Sequence, residues 1–142
     1  MKEIKIAKEQ AESEFQEWCD ANGIDADISE MNEEDEKGFR SQKKRIVKAI
    51  MEGRCAIDGR SLKYTISDLT KTEGLQGKEV EIMPPDGYVY TAMGGGDKKG
   101  NEFKRLNAGL SQMTGLADGM FNKMDVLDVK FFHAVASLFL AD

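Results

Sequence analysis

Few residues in this chain have the type and spacing for chemistry. Asp25, Asp27 and Ser29, with Glu33 and Glu36 behind them, put oxygen donors at positions 1, 3, 5, 9 and 12 of a calcium loop. Such a loop needs glycine at its sixth position, where Glu30 stands, and an apolar residue at its eighth, where Asn32 stands. The segment therefore reads as an acidic linker that caps a helix, with calcium as the alternative. Gly95 to Gly100 has the glycine spacing of a phosphate loop. Asn101 and Glu102 follow where lysine and a hydroxyl are required, so phosphate binding is not expected. The single histidine, His133, cannot alone build a triad or a metal cluster. Ser111, Thr114 and Ser137 have no base within a recognisable motif, and Asp125 and Asp128 sit where a helix start favours acids. Cys19 and Cys55 stand apart, beside apolar neighbours, and read as buried packing residues. The expectation is a non-enzymatic chain with no cofactor and no metal.

The elements that must position these residues follow from apolar periodicity. Ala11, Phe15, Trp18 and Cys19 recur at spacings of three and four, which predicts a helix over Lys8 to Ala21, ended by Asn22-Gly23. A second helix is expected over Glu33 to Glu52, with Asn32 as N-cap, acids in the first turn and Phe39, Ile46, Val47 and Ile50 as its stripe. The period then becomes alternating: Cys55 and Ile57, an Asp58-Gly59 turn, then Leu62, Tyr64 and Ile66 form a hairpin. A second strand pair is expected from Val80 and Ile82 to Tyr88, Val89 and Tyr90, turned by Pro84-Pro85-Asp86-Gly87. After the glycine-rich break, Phe103, Leu106, Leu110 and Met113 make a helical stripe that Gly115 ends. A short turn over Asp118 to Lys123 precedes a last helix, Val126 to Leu140. The expected class is α+β in a single domain over 1–142. It has N-terminal helices in 1–54, antiparallel strands in 55–93 and C-terminal helices in 101–142.

The last helix is apolar over about 220° of arc, against the roughly 100° of an ordinary surface helix. Lys130, His133 and Ser137 alone make a polar face. Such a helix is either central to the fold or keeps one side for a partner. Met113, Met120 and Met124 cluster with Phe121, either as core filler or as an adaptable contact surface. The expected partner-binding set is Leu116, Met120, Phe121, Met124, Phe132, Phe139 and Leu140.

Charge and composition narrow the class further. The net charge of −6 hides a segregation: residues 1–36 hold 13 acids and 3 bases, and residues 37–63 hold 2 acids and 9 bases. Acids flank the basic block, so internal pairing or a solvated face is expected rather than nucleic-acid binding. Acids occupy the place of a signal's apolar stretch, and no apolar run approaches a membrane span. A cytoplasmic location is expected.

Residues 45–66 place a helix that ends at Gly53-Arg54 before a short strand, a turn and a strand carrying Leu62-Lys63-Tyr64. The later order is the Val80 and Ile82 strand, the Pro85-Asp86-Gly87 turn, Leu110 to Leu116, Met124 to Asp128 and an apolar C-terminal helix. Over roughly Phe39 to Leu140 this order resembles the tail assembly chaperones of long-tailed bacteriophages. The resemblance implies a small non-catalytic cytoplasmic protein that binds the tape-measure or tail-tube protein and keeps its apolar helices from aggregating, with a homo-oligomer as a further expected association. It carries over no catalytic residue. The alternatives are a structural virion component, such as a tail-tube or connector subunit, and a small calcium- or nucleic-acid-responsive regulator.

Overall fold

The first helix forms where the spacing places it. In a computed structural model that describes residues 4–94 and 102–140, α1 spans Lys8–Ala21 and buries Ala11, Phe15, Trp18 and Cys19. A 3-10 turn over Ile28–Glu30 leads to α2, Glu33–Met51, whose first turn is held by Asn32 Oδ1 accepting from the Asp35 amide at 2.8 Å. Phe39, Ile46, Val47, Ala49 and Ile50 are the buried face of α2.

Strands β1, Cys55–Asp58, and β2, Ser61–Thr65, pair antiparallel with Asp58 opposite Ser61, so the connecting loop is Gly59-Arg60. Gly59 takes φ +62°, the left-handed first position that a type II′ hairpin turn requires. Strand β3, Glu79–Ile82, joins the other side of β2 and completes a three-stranded sheet of order β1-β2-β3.

The expected fourth strand is absent among the described residues. Tyr88, Val89 and Tyr90 lie instead on a helix, α3, Gly87–Gly94. The Pro-Asp-Gly segment that reads as a hairpin turn starts a helix, because Asp86 Oδ1 accepts from the Val89 amide at 2.8 Å and the Asp86 carbonyl accepts from Tyr90 at 2.9 Å. Val89 and Met93, four residues apart, are then buried on one side.

Helix α4, Glu102–Thr114, a 3-10 turn over Asp118–Lys123 and α5, Val126–Leu140, complete the α+β fold. Helix α5 contacts α2, α3 and α4, and Phe131 stacks on Tyr64 of β2 with ring centroids 4.0 Å apart. Phe132 meets Tyr64 and Phe121 edge-on. One core cluster draws on every element, including Phe15, Ile50, Cys55, Tyr64, Val80, Met93, Leu110 and Phe132. Each such aromatic or aliphatic side chain contributes about 1.5–3 kcal/mol on burial. No helix among the described residues is long and apolar enough to cross a membrane.

Candidate partner-binding groove

The wide apolar arc of α5 is a consequence of its central position. Of the seven expected contact residues, Phe121 and Phe132 are 0% exposed and Met124 is buried, so these three belong to the core and not to a free surface. Phe139 is half-buried, its ring edge-on to Trp18 at 5.5 Å, and Leu116, Met120 and Leu140 are likewise half-buried against the core. The seven do not form one open apolar face, because α2, α3, α4 and the sheet have covered most of it.

What α5 leaves open is its polar strip. Lys130, His133 and Ser137 line a groove of about 430 Å³ with Val126 and Val129 of the same helix, Phe103 and Asn107 of α4, Asn122, and Gln42 and Arg45 of α2. Phe103 opens the stripe of α4 in the sequence, yet it is 70% exposed while Leu106, Leu110 and Met113 are buried. Its ring stacks on His133, with centroids 5.1 Å apart and planes 17° apart. His133 Nε2 lies 2.7 Å from Asn107 Oδ1, and burial holds the imidazole below its ordinary pKa. Val126, 62% exposed, adds a second apolar group to the groove. Sequence reasoning missed Phe103 and Val126. Their signal was faint: each is the first apolar residue of its helix, where the stripe has begun and no neighbouring turn yet covers it.

The basic block is only partly paired. Arg40 meets Glu36 at 3.1 Å, Lys43 meets Glu12 at 3.5 Å, Arg54 meets Glu52 at 2.6 Å and Lys63 meets Asp58 at 3.6 Å. Lys44, Arg45 and Lys48 have no ion pair among the described residues. Lys44 and Lys48 line a hollow of about 370 Å³ between α1 and α2, and Arg45 and Lys48 flank a cavity of about 80 Å³ beside Arg54, Leu127 and Phe131. Arg45 belongs both to this cavity and to the groove.

The first two carboxylates of the calcium-like spacing are turned on their own backbone, and Glu36 pairs with Arg40. Asp25 Oδ1 accepts from the Asp27 amide at 2.9 Å, and Asp27 Oδ1 accepts from the Ser29 hydroxyl and amide at 2.6 and 3.0 Å. Those bonds from Ser29 hold the Asp27 carboxyl below its usual pKa. No group of three or more His, Cys, Asp or Glu among the described residues is placed to hold a metal ion. The glycine loop of the phosphate-like spacing, residues 95–100, lies outside the described residues.

Asp125 does what its place predicts, its Oδ2 accepting from the Leu127 amide at 2.9 Å. Asp128 does not: it is fully buried and accepts from the Tyr64 hydroxyl, the Ser67 amide at 3.0 Å, the Ser67 hydroxyl at 2.8 Å and the Thr70 hydroxyl at 2.6 Å. Arg54 Nη1 donates to Tyr64 Oη at 2.8 Å, which extends the network to the Glu52 pair. Burial drives the Asp128 carboxyl up, but the donations from Thr70, Tyr64 and Ser67 outweigh it and hold it below its ordinary value. All its acceptor capacity is occupied, so the arrangement fastens α5 to the sheet rather than activating a substrate. No family model matches the chain, and neither does any curated protein or solved structure.

Proposed function

We propose that this chain is a non-catalytic tail assembly chaperone of a long-tailed phage or prophage, working in the host cytoplasm. It holds apolar helical segments of a tape-measure or tail-tube protein until assembly. The resemblance over Phe39 to Leu140 supplies the class. The observation that carries the reading is the groove between α2, α4 and α5, where Phe103 and Val126 keep most of their surface in solvent although the chain has a well-filled core. A helix laid along such a groove places side chains at i, i+3, i+4 and i+7 on its apolar lining. Phe121, Phe132 and Met124 are then supports of the fold, and the client surface lies on the other side of α5.

Co-expression with the tape-measure protein tests this. The double variant Phe103→Ser, Val126→Ser should lose capture by at least about tenfold while its circular dichroism and melting temperature stay near wild type, since both side chains are exposed. Undiminished capture by that variant would remove the groove from the function. Recovery of the chain as a stoichiometric component of purified particles would replace the chaperone reading with a structural virion role.

A further inference from the structure

We infer that the segment held in this groove is an anionic amphipathic helix, its apolar side on Phe103 and Val126 and its carboxylates on Arg45 and Lys130. This rests on the reading that the groove receives a client, and adds the chemistry of that client. On a chain of net charge −6, the groove inverts the local sign. Arg45 enters from α2 and Lys130 from α5, and among the described residues neither has an ion pair and no acid lines the groove. His133 adds no charge near neutrality, because burial keeps its imidazole unprotonated there.

The neighbouring cavity reinforces the sign. Arg45 also borders the 80 Å³ space with Lys48 and Arg54, and Arg54 is fixed by Glu52 Oε1 at 2.6 and 2.9 Å and by Tyr64 Oη. Lys48, which has no ion pair among the described residues, borders that space beside Arg45, so a carboxylate that reaches Arg45 has a second cation nearby. A second carboxylate meets Lys130, which enters the lining from α5. The rest of the described lining is apolar or neutral, with Asn107, Asn122, Gln42 and Ser137 to accept or donate to polar side chains. Carboxylates that meet Arg45 and Lys130 beside apolar side chains that meet Phe103 and Val126 describe one face of a short acidic helix.

A nucleic acid would satisfy the cations less well. Glu33, Glu34, Asp35 and Glu36 lie on the same helix as Arg45, about 14–18 Å away at 1.5 Å per residue. A peptide confined to the groove sits beyond the roughly 8 Å screening length from those acids, whereas a duplex lying along α2 passes over them.

Three labelled helical peptides of about 20 residues, with the same leucine face and flanks of glutamate, glutamine or lysine, test the inference by fluorescence anisotropy. The glutamate peptide should bind at least about tenfold more tightly than the lysine peptide, and raising salt from about 50 to about 300 mM should narrow the gap. The variant Arg45→Glu, Lys130→Glu, both positions exposed, should keep its melting temperature and reverse the order. Equal binding of the three peptides, failure of all to bind, a preference that survives the charge reversal, or a DNA duplex displacing the glutamate peptide would each overturn the inference. Capture of tape-measure protein that is intact in the charge-reversed variant would sink the anionic client alone. Loss of capture in Phe103→Ser, Val126→Ser tests the groove itself.

Discussion

At the scale of single residues, Asp128 makes the largest departure from its apparent role. An acid in the first turn of a helix ordinarily caps amides or offsets the dipole. Here the carboxylate is buried with four donations, and it joins α5 to β2 and the loop after it. The clue was present in the spacing, since Asp128 stands three, four and seven residues before Phe131, Phe132 and Val135, on the buried stripe. Asp128→Asn should cost about 3 kcal/mol at neutral pH, because the amide nitrogen meets donors it cannot accept from. Urea melts will show this and its pH dependence. The folded pKa is depressed, so the wild-type advantage is fully present above the unfolded value of about 3.9 and is lost as pH falls through the folded value. A gap between wild type and Asp128→Asn that stays constant into strong acid would show that the charge contributes nothing.

At the scale of elements, legibility followed how local the deciding forces are. Helices α1, α2 and α5 and the first hairpin were readable, since their stripes, caps and turn glycines sit within a few residues of one another. Helix α3 was not, because Tyr88-Val89-Tyr90 has the composition of a strand, and the Asp86 cap together with tertiary contact decides otherwise. The larger tertiary contact is with α4, where Gly109 lets Met93 approach so closely that a Cβ at this position would come 2.1 Å from Met93 Cγ. Gly109→Ala gains about 1 kcal/mol of helix propensity and incurs overpacking of about 1–3 kcal/mol. The expected result is a net loss of about 1 kcal/mol, with Tyr88 and Tyr90 fluorescence changing as α3 is displaced. A stabilised Gly109→Ala protein would mean that α3 does not dock on α4 as described. The candidate groove was illegible for the same reason, being assembled from about one turn each of α2 and α4 set against α5 from Val126 to Ser137.

For the whole molecule, the two cysteines report whether the layers unfold together. Cys19 lies in α1 and Cys55 in β1; both are buried, and burial pushes each thiol to about 12, with Asp20 adding to the rise at Cys19. A free thiol at about 8.5 is far more reactive near pH 8, so labelling of the native chain must await an opening that returns the thiol to solvent. The core cluster contains Cys19 and Cys55 together with Trp18, Ile50 and Phe132, and Trp18 meets Phe139 at the far end of α5. Opening α1 alone would therefore expose Phe15, Trp18 and the half-buried Phe139 at once. With each large side chain worth about 1.5–3 kcal/mol, that loss takes most of a domain stability of about 5–15 kcal/mol. Cys19 and Cys55, compared in single-cysteine variants, should thus label with the same free energy of opening and the same denaturant slope. If Cys19 labels by a shallow, low-energy route while Cys55 awaits global unfolding, α1 is a detachable layer and the chain is not one cooperative unit.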